Sequence, residues 1–283
     1  MTFCVNGRLV APSKATVLID DWGFRYGWGA FDTLRVHRRR PLFLARHLER
    51  LYTAAGALQL PQDVSAADWT RDVYRTLHRA RLAEGAVNLY WTAGVPNKLD
   101  GRRVVAARRT TLPVSRPVRL WVAPWRIEST TPGVGIKTMA YFSNIFASVC
   151  AWNEGFEAAL VMNTDDRLAD GAMTSVFLVE GDRIATPALS EGALAGITRG
   201  LILAAAEQLG IRAREDRIPP ARLLRADASF ITSAIRGIAA VKAVGDRDVR
   251  PKPRSAAAAT LARLRRRYAR MVADEIAATP PAF

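Results

Sequence analysis

Apolar positions along this chain follow two spacings, and segments with one spacing alternate with segments with the other. Alternating or continuous apolar runs bounded by turn residues predict strands, and apolar residues at every third or fourth position predict helices. The segment 21–29 holds three glycines and four aromatic residues, which predicts a loop whose backbone packs closely against another surface. In the first part of the chain the predicted strands are 3–10 (a hairpin turning at Asn6-Gly7), 15–20, 31–36, 41–44, 87–92 and 104–112, and the predicted helices are 45–58 and 65–82.

The second part of the chain continues this alternation. A mostly apolar run from Phe142 to Trp152 predicts a helix, and another apolar helix follows Thr198 and reaches Leu209. The predicted strands are 118–123, 158–162, 176–179, 183–186, 228–232 and 238–244, and a terminal helix is predicted over 255–278. Strands interleaved with helices and hairpins predict a chain of the α+β or α/β class.

The segment Leu112-Pro-Val-Ser-Arg-Pro117 has two prolines in six residues. Prolines at this density are typical of connections between domains. The sequence therefore predicts a small N-terminal domain over 1–111, a linker over 112–117 and a larger C-terminal domain over 118–283. At 283 residues the chain is long enough for two such domains with cores of their own.

The charge of the chain is its one unusual bulk property. A formal net charge of +15 favours anionic ligands or polyanions. The arginines are scattered along the chain, with one dense cluster at 263–267 and another at 38–40, and no zinc finger or aromatic-interleaved basic sheet accompanies them. We therefore predict that nucleic acid is not the partner, although a basic nucleic-acid-associated protein stays an alternative.

Targeting and metal signals are sparse. The sequence has no run of 18 apolar residues, which argues against a membrane span, and its start lacks the pattern of a signal peptide. Its two cysteines, Cys4 and Cys150, are far apart and offer neither a disulfide framework nor zinc spacing. We therefore expect a cytoplasmic protein without a metal site.

Lysine is rare in this chain, with five lysines against thirty-six arginines. Only Lys137 and Lys242 lie in apolar surroundings, and Lys137 follows the glycine-flanked segment Gly133-Val-Gly-Ile. A lysine needs desolvation or cationic neighbours to act as an amine nucleophile at neutral pH. Its own surroundings leave two interpretations of Lys137 open, a nucleophile or a strand-end lysine whose stem lies on apolar surface.

Ordered blocks along nearly the whole chain resemble the class IV family of pyridoxal-phosphate enzymes, which contains branched-chain and D-amino-acid aminotransferases and 4-amino-4-deoxychorismate lyase. The blocks are Tyr26-Gly-x-Gly-x-Phe31-Asp-Thr-x-Arg-Val36, His47-Leu-Glu-Arg50-Leu, Ile136-Lys137-Thr with Gly155-Phe-Glu-Ala-Ala-Leu160 behind it, and Gly196-Ile-Thr198-Arg. Each block is weak alone, but their order and spacing together are specific. No such block surrounds Lys242.

The resemblance implies a two-domain protein of fold type IV with pyridoxal 5'-phosphate in the cleft between the domains. It implies that Lys137 holds the cofactor as a Schiff base and shuttles a proton. It also implies that Arg50, together with Ile197 and Thr198 at a helix start, binds the cofactor phosphate, with a further contact from Ser233. A homodimer is implied as well, for which we expect segment 22–28 near the interface.

The chain departs from the family pattern in residues that face the cofactor or the substrate. Asp170 stands where the family has glutamate as the partner of the pyridine nitrogen, and Ala172, Met173 and Ser175 alter the turn that follows. Asp170 keeps the required charge. Where members often carry Arg-Gly, this chain has Ala93-Gly94, so Arg236 is the predicted substitute for binding a substrate carboxylate.

Thr33 and Phe31 bear on the reaction type. Thr33 stands where a threonine assists elimination in the lyase subgroup, and Phe31, a predicted substrate contact, stands where some members have tyrosine. The leading hypothesis is an aminotransferase acting between an amino acid or amine and a 2-oxo acid. The alternatives are aminodeoxychorismate lyase, which releases pyruvate and 4-aminobenzoate, and a relative with impaired cofactor binding.

Overall fold

The computed structural model describes residues 1–61, 63–95, 101–110, 116–250 and 254–283. The chain divides into two compact units: the first contains Met1–Leu112, Ile136–Tyr141 and Val272–Phe283, and the second contains Pro113–Gly135 and Phe142–Met271. Both units combine helices with sheet, which confirms the predicted mixed α/β class. The predicted linker over 112–117 lies outside the described residues except for its last two. The segment with Lys137 belongs to the first unit.

In its described residues, the first unit is built on a six-stranded antiparallel sheet with the order β2-β1-β6-β5-β3-β4. The strands are β1 (Thr2–Val5), β2 (Arg8–Val10), β3 (Gly29–His37), β4 (Arg40–Pro41), β5 (Gly85–Thr92) and β6 (Arg103–Arg108). The helices are α1 (Trp22–Tyr26), α2 (Leu44–Ala57) and α3 (Ala66–Ala80). Ser65 and Asp68 form a capping box at the start of α3.

Strand β3 shows how the sequence assigns the two faces of this sheet. Its even-numbered residues from Ala30 to Val36 are buried, and its odd-numbered residues from Phe31 to His37 are half-buried. Because successive side chains point to opposite faces, the buried set packs on one face against α2 and α3. The other face presents Phe31, Thr33 and Arg35. The two-residue period of β3 thus places Phe31, Thr33 and Arg35 on the face opposite the core.

The structure corrects three predictions in this unit. No strand forms over 15–20, whose apolar side chains at Val17, Leu18 and Ile19 are exposed, so they have no core to pack against. The predicted loop over 21–29 contains α1, which begins after Asp21, whose carboxylate accepts a hydrogen bond from Gly23 N. The predicted strand over 41–44 ends at Pro41, and Leu44 already begins α2.

In its described residues, the second unit contains a nine-stranded sheet with the order β12-β11-β10-β13-β14-β7-β8-β9, in which β15 also pairs with β14. The strands are β7 (Val118–Ile127), β8 (Ala158–Asn163), β9 (Leu168–Gly171), β10 (Ser175–Glu180), β11 (Arg183–Pro187), β12 (Ala213–Asp216), β13 (Ala228–Ser233), β14 (Gly237–Val244) and β15 (Arg247–Asp248). The helices are α4 (Phe142–Asn153), α5 (Ile197–Gln208), α6 (Pro220–Arg225) and α7 (Ala256–Ala278). The residues of α7 from Val272 onward belong to the first unit.

Helix α5 is fixed to the edge of this sheet by a buried cation. The Arg199 guanidinium donates to the Pro187 carbonyl at 2.9 Å and pairs with the Glu215 carboxylate. Ile202 and Ala205 on the same helix pack against the stacked Phe177 and Phe230 rings. These contacts hold α5 in place against the sheet. Among the described residues, no helix is long and apolar enough to cross a membrane.

Candidate active site

The segment with Lys137 lies along the first residues of β3. Phe31 N donates to the Lys137 carbonyl at 3.0 Å, and Met139 N donates to the Gly29 carbonyl at 2.7 Å. This pairing extends β3 on one edge by an isolated antiparallel bridge. Gly27 lies against Ala140 and has a φ of +69°, which glycine adopts without steric cost. The glycines of the Tyr26-Gly-x-Gly block therefore bring the lysine segment close to the sheet.

Replacing Gly27 with alanine should displace this segment. The new Cβ would lie 2.7 Å from Ala140 Cα, and the alanine would have to keep the left-handed backbone conformation of Gly27. The clash and the strained backbone together should lower the free energy of unfolding by about 2–4 kcal/mol. Urea unfolding measures the loss. Gly200→Ala on α5 is the matched control, because nothing lies within 4 Å of its Cβ and alanine favours a helix by about 1 kcal/mol. Equal stability of Gly27→Ala and wild type would contradict the close approach.

The amine of Lys137 lies between two aromatic rings. Its Nζ is 4.2 Å from the centroid of the Phe31 ring and 4.4 Å from that of the Tyr141 ring, and it donates to the Tyr141 hydroxyl at 3.4 Å. The two rings meet edge to face at 5.1 Å. Contacts with ring faces attract a cationic amine and limit the positions it can take. Lys137 is thus held on the sheet face that Phe31 and Thr33 share.

The side chains next to Phe31 on this face form a polar chain. Phe31 stacks on Tyr90 of β5 at 6.3 Å, and in the next cross-strand pair Asn88 Nδ2 donates to Thr33 Oγ1 at 2.8 Å. Arg108 Nε then donates to Asn88 Oδ1 at 3.2 Å. A hydroxyl that accepts one hydrogen bond keeps its own proton to donate. Thr33 can therefore act as a donor toward a bound molecule on this face.

Arg50 is held by a buried carboxylate on the other face of β3. Its Nε donates to Asp32 Oδ2 at 2.9 Å and its Nη2 donates to Asp32 Oδ1 at 2.7 Å, while His47 Nδ1 lies 2.8 Å from the same Oδ1. Burial alone would raise the pKa of Asp32, but the charges and hydrogen bonds of His47 and Arg50 outweigh it and hold that pKa well below its usual range. The Arg50 fork is thereby fixed in direction.

Replacement of Asp32 with asparagine should cost about 3 kcal/mol of unfolding free energy at neutral pH, because it leaves a buried cation without its anion. A carboxyl with a lowered native pKa stabilises above its unfolded pKa, so this contribution should vanish as the pH falls below the usual aspartate range. Urea titrations at pH 7 and in acid measure both effects. Exposed Asp166→Asn is the control and should change stability by less than about 0.5 kcal/mol. A wild-type stability for Asp32→Asn at pH 7 would refute the buried pair.

In the second unit, Asp170 has one satisfied and one orphaned carboxylate oxygen. Oδ2 accepts from Leu194 N at 3.2 Å, whereas Oδ1 is enclosed and has no hydrogen-bond partner among the described residues. Burial raises the pKa of Asp170 to about 7, against the opposing effects of nearby backbone N–H groups and of Arg199. An enclosed, unpaired carboxylate oxygen suits a cationic N–H donor, because that partner would favour the ionised form.

The start of α5 lies close to this acid in space, because Leu194, which donates to Asp170, is two residues before the helix N-cap. Gly196 is its N-cap, so no side chain caps the first N–H groups there, and Thr198 in the first turn is buried. A Cβ on Gly196 would lie 2.8 Å from Ser175 Oγ, which shows how closely β10 approaches the helix start. Uncapped N–H groups at a helix N-terminus, together with the helix dipole, favour an anion.

The turn from β13 to β14 contains two of the predicted residues. Ser233 Oγ accepts from Arg236 N at 3.1 Å and so closes the turn, one residue beyond Thr232, which pairs with Ser175. Arg236 is half-buried and lines an open groove of about 820 Å³, whose other lining residues are Arg116, Pro117, Val118, Glu157, Lys242 and Arg250. Burial lowers the pKa of Arg236, and the charge of Glu157 opposes this shift.

Each unit therefore brings part of the predicted set together. Lys137, Phe31 and Thr33 share one sheet face in the first unit, and Asp32 links Arg50 to the same strand. In the second unit the predicted residues around the start of α5 are Asp170, Ile197, Thr198 and Ser233. Tyr141, Asn88 and Asp32 belong to this arrangement as well, although no role was predicted for them from the sequence. Asp32 had a signal, a charged residue at an inward position of an alternating strand, which is stable only when paired.

Residues 29–244 match the family model described as amino-transferase class IV. A curated relative, an aminodeoxychorismate lyase from Bacillus subtilis, is 29% identical over 241 residues, which make up 82% of each chain.

Two solved structures share the fold. A branched-chain aminotransferase from the archaeon Thermoproteus uzoniensis, solved with norvaline, superposes with a TM-score of 0.89 at 24% identity, covering 100% of this chain and 99% of the other. A hypothetical aminotransferase from Mycobacterium tuberculosis in its PLP-bound form superposes with a TM-score of 0.85 at 20% identity, covering 97% and 100% of the two chains. At these identities the structures establish the fold.

Proposed function

The chain belongs to the class IV aminotransferase family, and on that basis we propose that it transfers an amino group between an amino acid, or an amine, and a 2-oxo acid. The observation that carries this proposal is the position of the Lys137 amine, held between Phe31 and Tyr141 on a sheet face with polar side chains beside it. A positioned lysine amine can bond to a carbonyl group and can also move a proton.

The cofactor of this family is pyridoxal 5'-phosphate, and the residues present fit it. Asp170 Oδ1, enclosed without a partner among the described residues, suits the ring nitrogen. The uncapped start of α5 suits a phosphate group. We propose Arg50, whose guanidinium is oriented by Asp32, as a further phosphate contact. When bound, pyridoxal phosphate supplies an electron sink that acidifies the α-carbon of an attached amine. Lys137 would hold the cofactor covalently, and Ser233 would add a phosphate contact.

The residues of the chain then divide the work. The Lys137 amine would carry the proton taken from the α-carbon of the substrate. Tyr141 keeps that amine on the Phe31 side through its hydroxyl and its ring. Asp170 would carry its negative charge when a cation lies at Oδ1. Phe31 would form one wall of the substrate site.

Aminodeoxychorismate lyase is a second candidate, because one observation favours it. Thr33 Oγ1 accepts from Asn88 and so can donate its own proton toward a leaving group on the Lys137 face. The lyase would expel pyruvate and leave 4-aminobenzoate. The two candidates use the same cofactor and the same lysine, so they differ in substrate and product.

Spectroscopy and product analysis test both candidates together. The protein purified with pyridoxal phosphate should be yellow, and borohydride should bleach that colour and leave the reduced cofactor covalently attached to Lys137. A screen of amino donors with 2-oxo acids should show acceptor-dependent transfer, whereas aminodeoxychorismate should give pyruvate only if the second candidate is right. A colourless protein that ignores added pyridoxal phosphate would refute both.

We further propose a homodimer with α1 near its interface. The side chains of Phe24 and Tyr26 on α1 are 62% and 58% exposed, and a second copy would cover such apolar surface. Light scattering of wild type at micromolar concentration should give the mass of a dimer, and Phe24→Ser should shift the equilibrium toward monomer. The exposed Leu189→Ser on the second unit serves as the control. A monomeric wild type at this concentration would contradict the proposal.

A further inference from the structure

Arg108 lies on the same sheet face as the reactive lysine. In the sheet register Arg108 of β6 pairs with Ala86, and Asn88 pairs with Thr33. Directly paired residues of an antiparallel ladder point to the same face, and so do residues two apart on one strand. Arg108, Asn88 and Thr33 therefore share their face with Phe31, over which Lys137 Nζ lies at 4.2 Å.

The direction of the Arg108 side chain is fixed by hydrogen bonds. Arg108 Nε donates to Asn88 Oδ1 at 3.2 Å, and the same amide donates through Nδ2 to Thr33 Oγ1 at 2.8 Å. The Asn88 amide is thus oriented by its hydrogen bond to Thr33, and its oxygen accepts from Arg108. A guanidinium has five N–H donors, and a bond through Nε leaves its terminal amino groups with the geometry that binds a carboxylate.

The electrostatics of Arg108 call for an anion. Arg108 is half-buried, and none of the ion pairs within the described residues includes it. Burial raises the pKa of the nearby Tyr90 phenol while the Arg108 charge opposes that shift, so the cation acts on the apolar end of this face too. A partly desolvated guanidinium is stabilised by a carboxylate that binds it.

Given this placement, and resting on the proposed function, we propose that Arg108, positioned by Asn88, binds a substrate carboxylate that is remote from the reacting amine. Neighbouring cross-strand pairs on one face are about 7 Å apart, so the guanidinium that reaches Asn88 lies about one row from Phe31. That spacing suits an amine with a second, distal carboxylate. Two sources share this chemistry, dicarboxylic amino acids with their 2-oxo acids, and aminodeoxychorismate.

Binding of glutarate, a dicarboxylate that cannot react, tests the proposal independently of turnover. Titration calorimetry on the protein loaded with pyridoxal phosphate should show a dissociation constant about 30-fold weaker for Arg108→Met than for wild type, as expected for one charge-assisted contact. Arg109→Met is the matched control, since Arg109 is the next residue and is exposed. Arg236→Met is a second comparison for Arg108→Met, because Arg236 is the arginine that the sequence predicts as the partner of a substrate carboxylate.

Kinetics with both substrate sources extend the test. Arg108→Met should lower kcat/KM about 30-fold for glutamate or for aminodeoxychorismate, whichever is used, and less than about 3-fold for norvaline, which has no distal carboxylate. Asn88→Ala should fall between wild type and Arg108→Met, and Arg108→Lys should recover part of the loss. If Arg108→Met is unstable, Asn88→Ala and Arg108→Lys decide alone.

The outcomes separate this proposal from the proposed function. Unchanged glutarate binding in a yellow Arg108→Met protein would overturn the role of Arg108 and leave the proposed function standing. The same weakening in Arg109→Met would also overturn it, because the effect would then be one of net charge. A protein that never binds pyridoxal phosphate would refute the proposed function, whereas glutarate binding that depends on Arg108 would still support the carboxylate site.

Discussion

Replacement of Lys137 with alanine should abolish both the borohydride-sensitive yellow band and amino transfer, with a loss of about 10⁴-fold or more. In the proposed function this amine is both the point of covalent attachment and the proton carrier, and proton transfer by a positioned group alone contributes about 10²–10⁴-fold. Absorbance spectra and single-turnover kinetics with an amino donor measure the two losses separately.

Lys242→Ala is the matched control for this substitution. Lys242 is the other lysine with apolar neighbours in the sequence, but it lines the open groove of the second unit. We expect it to keep the band and at least about half of the activity, since changes outside a site usually have small effects. If Lys137→Ala kept a yellow band, and borohydride bleached it while attaching the cofactor to the protein, another amine would be the attachment point.

Replacement of Asp170 with asparagine should weaken binding of pyridoxal phosphate by about 30–100-fold, because one charge-assisted hydrogen bond is lost. The substitution should also alter how stability depends on pH. The pKa of Asp170 is raised to about 7, so between about pH 4 and 7 the folded protein binds more protons at this site than the unfolded chain does. Stability without cofactor should therefore fall as the pH rises through this window, by up to about 4 kcal/mol.

Urea unfolding of the cofactor-free protein from pH 4 to pH 8 checks this expectation. Asp170→Asn should flatten the profile in this window, because asparagine does not titrate. Asp170→Glu, which restores the acid found in the family, should keep the yellow band. A wild-type profile as flat as that of Asp170→Asn would mean that Oδ1 is solvated and not enclosed.

Much of this site could be predicted from the sequence, because its blocks have fixed local geometry. The Gly196-Ile-Thr198 element predicts a helix start, and that helix begins at Ile197. Lys137 could be singled out by its rarity and its block. The sequence could not show which other residues lie next to these in the folded chain. Asn88 is unremarkable in its strand, and only the register that pairs it with Thr33 shows its role.

The departures from the family pattern gained meaning from the fold in the same way. Loss of the arginine at Ala93 left the substrate carboxylate without an evident partner, and Arg236 was the candidate in sequence. In the sheet, Arg108 reaches Asn88 diagonally from two residues along the neighbouring strand. Such a contact forms because β6 and β3 are both neighbours of β5 in the sheet. A single sequence does not determine that strand order.

The bridge between β3 and the lysine segment joins parts of the chain that are far apart in sequence. Contacts of this kind form late in folding, since closing a long loop costs entropy before the contact is gained. Until this bridge forms, the Lys137 amine lacks its contacts with Phe31 and Tyr141, so the position of the amine is a property of the finished fold.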